Sequence, residues 1–293
     1  MKEISVIIAS QDAKATIAKC LSSLEKQNRG GRAEIIVVDN SKDGTAKMVE
    51  EAFPTVRLIR IAEPRLLPEL WAIGAKEALG KIIAFTIAHC VPDEDWLAAT
   101  LRHHQSGTYA AIGGAIENAQ PSPLSQWATY FCRYVTYMLP FSTHPVDQIP
   151  GDNASYKRWV LEEYAHWIES CFWETVINQR LRRAGHSLLL TPEICVFHEA
   201  SSGVGAFCRQ RFTHGRIFGA GRVVSVTGGR RLLYIFASPL VPFIFLAKIV
   251  RQVLQKKRHV LQFLLSLPIL VLFVLCWSFG EFLGYLTGKG AKP

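Results

Sequence analysis

The sequence predicts an α/β fold, a mostly parallel nucleotide-binding sheet flanked by helices, followed by C-terminal membrane helices. Two observations support this prediction. Short apolar runs alternate with helix-like segments through the N-terminal part of the 293 residues, and strands that alternate with helices form parallel sheets through right-handed crossovers. Two apolar stretches near the C-terminus, 232–250 and 260–286, are each long enough to cross about 30 Å of hydrocarbon.

The first strand and helix are predicted from two different periodicities. Residues 4–10, with the sequence ISVIIAS, form an apolar run of the kind that a buried strand requires. Ile17, Cys20, Leu21 and Leu24 then recur at the three- and four-residue spacing of one helix face. One strand and one helix are therefore expected before the next apolar run begins.

The same alternation continues along the chain and then becomes less regular. A segment rich in aromatic residues and proline, 121–150, is expected to be an insertion. Gly185 is expected to end one later helix at its C-cap. The remaining predicted strands are 34–39, 56–61, 81–86, 109–116, 187–190 and 194–198, and the remaining predicted helices are 43–52, 67–79, one starting at Asp93 or Asp95, and 172–184.

Asp39 is the first candidate binding residue. It follows four apolar residues, Ile35 to Val38, and so lies at the carboxyl end of a predicted strand, the edge where open α/β sheets bind ligands. A carboxylate there can accept hydrogen bonds from a ribose or from a base N–H. The alternative is an Asp that only caps the following helix.

The charge pattern indicates a membrane rather than a nucleic acid as partner. The formal net charge is +9, and the basic residues become denser towards the apolar stretches, where they attract anionic headgroups. No nucleic-acid recognition motif accompanies them. Seven cysteines without paired spacing indicate neither a disulfide framework nor a zinc ribbon.

Several motifs in a fixed order carry a family resemblance over residues 3–200. They are SVIIASQDAKATIAKCLSSLEKQ, EIIVVDNSKDGT, ALGKIIAFT, CVPDEDWL, IPGDNASYKR, ETVINQRLRRAGH and TPEICVFHE. Together they resemble an inverting family 2 glycosyltransferase with the glycosyltransferase A fold. The resemblance implies transfer of a sugar from a nucleotide diphosphate to a hydroxyl group. It also implies that Ala9, Ser10 and Asp39 bind the donor nucleotide.

The resemblance places the diphosphate near two histidines. Relatives carry an Asp-x-Asp metal motif after the fourth strand, where this chain has Ile87, Ala88 and His89. His198 matches a histidine that contacts the diphosphate or the metal in many relatives. Because Mg²⁺ prefers oxygen ligands and imidazole suits Mn²⁺ or another transition ion, a divalent metal, Mn²⁺ or Mg²⁺, is one interpretation. The other interpretation is a site without a metal, in which His89 only forms a hydrogen bond with a loop.

The resemblance also suggests the catalytic and acceptor residues. Counting back six residues from Arg180 gives Glu174 in the place of the family's catalytic base, and a Glu there can take the acceptor's proton. The alternative for Glu174 is a first-turn acidic residue that interacts with the helix dipole. The inserted aromatic segment 121–150 is expected on the acceptor side. Trp173, Asp152 and Asn153 are also expected there, although the last two residues also suit an Asx turn.

The chain is accordingly expected to have a catalytic domain at 1–200, a basic amphipathic interface segment at 201–230 and membrane segments at 231–293. For 205–222 the alternative is a linker helix packed on the catalytic domain. Basic loops are typical of the cytoplasmic side of a membrane, so the basic loop after 232–250 is expected there. The catalytic domain is also expected on the cytoplasmic side, because its nucleotide sugars are found there. The first apolar stretch, interrupted by Pro239 and Pro242, is therefore expected to be re-entrant and the second to span the cell membrane.

Two functions remain open from the sequence. The first is an enzyme that glycosylates a lipid or lipid-linked glycan in envelope polysaccharide or glycolipid synthesis. The second is a catalytically inactive relative that serves as a binding or scaffold subunit of an envelope-assembly complex, for which the missing Asp pair argues. Association with a second copy of the chain is also left open. A nucleotidyltransferase shares such a sheet, but ASQDAKAT lacks its glycine-rich basic signature.

Overall fold

The computed structural model describes residues 2–199, 203–224 and 226–290, and the chain forms two compact units. The first unit consists of Met1–Glu117 and Tyr137–Ser201, and the second of Asn118–Thr136 and Ser202–Pro293. The aromatic segment that was expected on the acceptor side therefore divides, and its first part belongs with the C-terminal helices. Sequence order alone suggested a single boundary near residue 200.

The strands and helices follow the predicted alternation in the first half of the chain. The strands are β1 Ile4–Ser10, β2 Ala33–Asp39, β3 Arg57–Arg60, β4 Ile82–Ile87, β5 Cys90–Pro92, β6 Ala111–Asn118, β7 His144–Val146, β8 Asn153–Lys157 and β9 Leu188–His198. The helices are α1 Ile17–Gln27, α2 Thr45–Ala52, α3 Leu67–Glu77, α4 Trp96–Ser106, α5 Leu124–Tyr134, α6 Arg158–Glu163, α7 Ala165–Ile168, α8 Glu174–Arg183, α9 Val204–Val223, α10 Gly228–Ala237, α11 Val241–Lys256 and α12 Val260–Thr287.

The sheet of the first unit is mixed. Its strand order is β3-β2-β1-β4-β8-β6-β9-β5, with β7 paired to β9. The first four strands pair in parallel, as expected from their helical crossovers. The pairs β4–β8, β6–β8, β5–β9 and β7–β9 are antiparallel. The two strands predicted at 187–190 and 194–198 are one continuous strand, β9.

The register of the parallel strands brings several chain ends to one edge of the sheet. Ser10 pairs with Asp39 across β1 and β2, and Ala9 pairs with Ile87 across β1 and β4. Thr86 pairs with Asn153 across β4 and β8. The carboxyl ends of β1, β2 and β4 therefore meet the start of β8 at a common edge.

Helix α8 ends as the sequence predicts. Gly185 has a φ of +86°, in the left-handed region that glycine adopts without a steric cost. Its N–H donates to Arg182 O at 3.1 Å, and the next N–H, of His186, donates to Leu181 O at 2.9 Å. This pair of hydrogen bonds satisfies the last carbonyls of the helix.

The second unit is built around α12, against which α9 and α5 pack along their lengths. Helices α9 and α12 approach closely at four glycines. A Cβ on Gly215 would lie 2.2 Å from Trp277 O, and one on Gly219 would lie 2.3 Å from Glu281 O. On α12, Gly280 and Gly284 are equally close to the backbone of α9. Small residues at four-residue spacing permit such contact.

The packing of α9 differs from the expected interface helix. Its apolar residues are spread around the helix and do not form one stripe, and both glycines and aromatic residues such as Phe207 face α12. Arg222 of α9 lies 3.9 Å from the buried carboxylate of Glu281 and donates to the hydroxyl of Tyr285 at 3.0 Å. The helix is therefore fixed to α12 by backbone contact and by an ion pair.

Two helical segments in the described part of the chain are long and apolar enough to cross a membrane. They are Gly228–Lys256 and Val260–Thr287. The first contains α10 and α11, which are separated by a 3₁₀ turn at Ser238–Leu240. This turn lies where Pro239 and Pro242 interrupt the predicted apolar stretch.

Candidate active site

The candidate site lies at the carboxyl edge of the sheet, and Asp39 is buried there. Its side chain is 2% exposed. The N–H and the hydroxyl of Ser41 donate to its two carboxylate oxygens at 3.2 and 2.5 Å. These are the bonds of an Asx turn, and they hold the carboxylate at the strand end. Asp39 precedes the loop that leads to α2 and does not cap that helix, which begins at Thr45.

Asn40 is a candidate residue that the sequence did not single out. Its N–H donates to Ser10 O at 3.1 Å, and its side-chain N–H donates to Arg65 O at 3.1 Å. Its side-chain oxygen is buried and has no hydrogen-bond partner among the described residues. A buried acceptor without a donor costs free energy, so this oxygen is a candidate acceptor for a donor group of the nucleotide, next to Asp39.

The loops after β1 and β2 are tied together by hydrogen bonds. Asp12 N–H donates to Ser41 Oγ at 2.7 Å, Ala13 N–H to Thr45 Oγ1 at 3.1 Å, and Lys14 N–H to Asp43 Oδ2 at 3.0 Å. These bonds fix the polar loop that follows Ala9 and Ser10 beside Asp39. Ala9 and Ser10 are themselves almost fully buried, with 1% and 0% exposure, and they lie directly before this loop.

The structure brings His89 and His198 together. The turn Ala88–His89 joins β4 directly to β5, and β5 pairs with the end of β9 so that Cys90 lies opposite His198. The N–H of Glu199 donates to His89 O at 2.7 Å. Thr16 Oγ1 lies 2.8 Å from His89 Nδ1, and this contact orients the imidazole.

The side chains near these histidines do not match a metal centre. Ile87 and Ala88 are buried hydrocarbons, 1% and 0% exposed, where relatives have a carboxylate and a spacer residue. Glu199, the neighbouring carboxylate, forms an ion pair with Lys19 at 2.7 Å. Within the described ranges no group of three or more His, Cys, Asp or Glu side chains could hold a metal ion. The residues present therefore do not fit the divalent metal of the family.

Glu174 is the first residue of α8, and its carboxyl group lies against the turn before β8. A Cβ on Gly151 would be 3.1 Å from Glu174 Cδ and 3.1 Å from two ring carbons of Trp71. Trp71 is fixed because its Nε1–H donates to Thr86 O at 2.8 Å. Thr86 precedes Ile87 in β4, so the candidate base lies at the same edge of the sheet as the histidine turn.

Tyr137 joins this group, and no sequence pattern singled it out. Burial raises the pKa of its phenol, and the carboxylates of Glu174 and Asp152 raise it further. Burial likewise raises the pKa of the Cys171 thiol to about 12, with Glu69 and Glu174 adding to the shift. Two carboxyl groups and a neutral phenol therefore share one region, which suits the binding of a hydroxylated acceptor.

Asn153 and Trp173, both expected on the acceptor side, have different environments. The Asn153 side chain donates to Ala115 O at 2.8 Å and to Ile194 O at 3.0 Å, and it accepts from Trp96 Nε1–H at 2.9 Å. Its amide therefore holds strands together. Trp173 is half-buried and is the N-cap residue of α8, directly before Glu174.

Known proteins resemble this chain in sequence and in fold. The family model described as glycosyl transferase family 2 matches residues 5–165, more than half of the chain. Glycosyltransferase AglE from Haloferax volcanii is 27% identical over 124 residues, which are 41% of this chain and 41% of AglE. The match thus spans less than half of that relative's length.

Two solved structures have a similar fold. Mannosyltransferase PcManGT from Pyrobaculum calidifontis, in complex with GDP-Man and Mn²⁺, has a TM-score of 0.58 at 14% identity, covering 95% of this chain and 86% of that one. TarS 1–349 from S. aureus has a TM-score of 0.53 at 13% identity, covering 98% and 92%. The chain has the glycosyltransferase A fold and belongs to glycosyl transferase family 2.

Proposed function

We propose that this protein is an inverting glycosyltransferase that moves a sugar from a nucleotide diphosphate to a lipid or lipid-linked glycan acceptor at the membrane. The observation that carries the proposal is the location of Glu174. Its carboxyl group lies beside Gly151, at the edge of the sheet where Asp39 ends β2. A general base and a nucleotide site on one edge are what direct displacement requires.

The donor nucleotide is held at the ends of β1 and β2. Asp39 and the side-chain oxygen of Asn40 accept hydrogen bonds from the ribose or the base, and the loop after Ser10 borders them. The tied loops leave little to rearrange on binding, because their mutual hydrogen bonds are already formed. The nucleotide affinity in this proposal comes from preformed groups.

The transfer is a single displacement. Glu174 takes the proton of an acceptor hydroxyl, whose oxygen forms a bond to the anomeric carbon of the donor sugar. The bond from that carbon to the diphosphate oxygen breaks on the opposite face, and the electron pair leaves with the nucleoside diphosphate. The configuration at the anomeric carbon inverts. Asp152 and Tyr137 lie near Glu174 and orient the acceptor, with Trp173 beside them.

The leaving diphosphate gains charge, and donors that stabilise such charge are usually the largest catalytic contribution. His89 directly precedes Cys90, which pairs with His198 across β5 and β9, and the two histidines are the proposed groups for this task. With Thr16 at Nδ1 of His89, Nε2 is the ring nitrogen on the other side of the imidazole. No step is assigned to a divalent metal, because the side chains there do not suit one.

The proposed location is the cell membrane, with the catalytic unit on the cytoplasmic side, where nucleotide sugars are made. Segment Val260–Thr287 crosses the bilayer in this proposal. The break at Ser238–Leu240 supports a re-entrant Gly228–Lys256. The acceptor then belongs to envelope polysaccharide or glycolipid synthesis.

One observation favours a second candidate, a catalytically inactive binding or scaffold subunit of an envelope-assembly complex. Ile87 and Ala88 are buried and apolar where the family carries its metal-binding motif. A screen of nucleotide sugars separates the two candidates. Turnover of any donor, UDP-sugars and GDP-mannose included, by the detergent-solubilised full chain excludes the inactive subunit.

The variant Glu174→Gln tests the proposed base. Because an amide cannot take the proton, we expect acceptor-dependent release of the nucleoside diphosphate to fall about 100-fold or more. Calorimetry should find the affinity for the nucleotide within about twofold of wild type. Glu169→Gln removes an exposed carboxylate and should transfer normally. Normal turnover by Glu174→Gln would refute the assignment of the base.

A further inference from the structure

Two cysteines of the second unit lie on neighbouring helices, outside the catalytic unit. Cys208 belongs to α9 and Cys276 to α12. Both thiols are free and only half-buried, so a small molecule in solution can reach them. Their separation in the sequence follows no pattern that pairs cysteines, and only the packing of the two helices relates them.

The glycine contacts between α9 and α12 determine which residues face each other. A Cβ on Gly280 would lie 2.1 Å from Phe212 O, and a Cβ on Gly284 would lie 2.5 Å from Arg216 O. From the first contact to the second, each helix advances by four residues, which is about one turn. The two helices therefore run parallel, and their facing positions recur together with each turn.

The same register pairs the two cysteines. Cys208 and Cys276 each lie four residues before the members of the first glycine contact, and so belong to the preceding turn. The helices are still in contact at that level, because the ring centres of Phe207 and Phe273 are 4.5 Å apart. Cys208 and Cys276 therefore face each other between an aromatic contact on one side and a backbone contact on the other.

The two side chains also influence each other. Burial raises the pKa of the Cys208 thiol to about 11, and the hydrogen bond and the charge of Cys276 contribute to this shift. The contact agrees with the register of the helices. Because the thiolate is the reactive form, the raised pKa keeps Cys208 reduced until an oxidant is supplied.

The geometry suits a covalent link between the helices. A disulfide requires Cα atoms about 4.4 to 6.8 Å apart, and the glycines bring the backbones of α9 and α12 into contact. We propose that Cys208 and Cys276 are a site of reversible oxidation, at which a disulfide fixes α9 to α12. The oxidant is a small disulfide such as glutathione disulfide.

The oxidation consists of two exchange steps. The thiolate of Cys208 attacks one sulfur of glutathione disulfide, a mixed disulfide forms, and one glutathione thiolate leaves. The thiolate of Cys276 then attacks the Cys208 sulfur and displaces the second glutathione thiolate. The two protein thiols are oxidised, and the small disulfide is reduced to two thiols that take up the two protons.

The test identifies the linked residues by mass spectrometry. The full chain in a neutral detergent is incubated with glutathione disulfide, its remaining thiols are alkylated, and it is digested without reduction. We expect a peptide pair that joins residues 208 and 276, from protein that runs as a monomer on a non-reducing gel. A disulfide-linked dimer, or a link from either residue to another cysteine, would overturn the proposal.

Matched variants confine the link to this pair. Cys208→Ser and Cys276→Ser should each abolish the link and leave the remaining cysteine as a mixed disulfide with glutathione. Cys132→Ser removes another half-buried cysteine of the same unit and should form the link as completely as wild type. Loss of the link in Cys132→Ser would show that Cys132 takes part in it, and the assignment to the facing pair would be wrong.

Thermal unfolding shows whether the link joins packed helices. A disulfide restricts the unfolded chain, so the oxidised protein should unfold about 5 °C higher than the reduced protein, and dithiothreitol should reverse the shift. Cys208→Ser treated with the same oxidant should show no such shift. A link that leaves the unfolding temperature unchanged or lowers it would mean that the thiols meet only when the helices separate. That result, or the absence of any link, would refute the proposal, which does not rest on the proposed sugar transfer.

Discussion

The hydroxyl of Thr16 lies 2.8 Å from Nδ1 of His89, and this contact joins the residue before α1 to the turn after β4. The two residues are far apart in the sequence, and Thr16 is buried. A hydrogen bond at one ring nitrogen fixes the orientation of the imidazole and the nitrogen that faces the ligand. Thr16 is therefore a candidate positioning residue for the diphosphate.

We predict that Thr16→Val lowers kcat/KM for sugar transfer about threefold to tenfold, since one net hydrogen bond contributes about 1 kcal/mol. The measurement is the rate of nucleoside diphosphate release at several donor concentrations. Thr16→Ser should restore most of the activity because it keeps the hydroxyl.

The matched control for this prediction is Thr55→Val. The hydroxyl of Thr55 is exposed and donates to Glu25 at 2.6 Å on the surface, so its loss should leave kcat/KM unchanged. If Thr16→Val transferred sugar as fast as wild type, the contact between Thr16 and His89 would not contribute to the rate of transfer.

Nucleotide binding is predicted not to depend on a divalent metal. Ile87 and Ala88 supply no ligand atom, and Glu199 is paired with Lys19 at 2.7 Å. We expect the affinities for UDP and GDP, measured by calorimetry, to differ by less than about twofold between solutions with Mn²⁺ and with a chelator. A tenfold gain with Mn²⁺ would mean that ligands outside this region complete a metal site.

The local patterns of the sequence predicted the parallel half of the sheet, because each of its elements is encoded by neighbouring residues. The apolar run before Asp39 and the helical spacing after Ile17 both specify structure without distant contacts. The family comparison agrees with the fold expected from the ordered motifs. Glycine at 185 similarly ends α8 for a local reason, its positive φ.

Strand β8 shows why part of the other half of the sheet was missed, although β6 and β9 correspond to predicted strands. The sequence of β8, NASYK, has no apolar run, yet its first four residues are buried. The polar side chains are satisfied by distant partners, since Asn153 donates to Ile194 O and Ser155 lies 2.8 Å from His104. Tyr137 and Glu174 likewise belong to distant segments of the chain, so no local pattern predicts that the two groups influence each other.

Gly151→Ala is predicted to impair catalysis more than nucleotide binding. The new methyl group would lie 3.1 Å from Glu174 Cδ and from the ring of Trp71, and Trp71 is held by its bond to Thr86 O. The carboxyl group of Glu174 must therefore shift. Since small displacements of a reacting group are costly, we expect kcat to fall about tenfold, with the donor KM within about twofold.

Gly30→Ala is the control for this substitution. A Cβ there would have its nearest contact at 3.8 Å, with the Arg32 side chain, so we expect no change in kcat. A loss of donor affinity in Gly151→Ala as large as the loss in kcat would mean that the turn shapes the nucleotide site instead.

His104 gives the first unit a predictable sensitivity to acid. The residue is 6% exposed, and its Nε2 lies 2.8 Å from Ser155 Oγ. Burial lowers the pKa of His104 from 6.5 to about 3, and the charges of Lys157 and His103 contribute. The folded protein therefore keeps this imidazole neutral at a pH where the unfolded chain protonates it.

Between about pH 6.5 and about pH 3 the unfolded chain binds a proton that the folded chain does not, so the free energy of unfolding falls as the pH is lowered through this range. By about pH 4.5 the loss due to His104 should be about 3 kcal/mol. His104→Gln should remove this part of the pH dependence, measured as the difference between urea unfolding curves of the two proteins in detergent. His166→Gln, at an exposed position, should unfold with the wild-type pH dependence. If His104→Gln kept the wild-type slope, the imidazole would be protonated in the folded protein and its buried neutral state would be excluded.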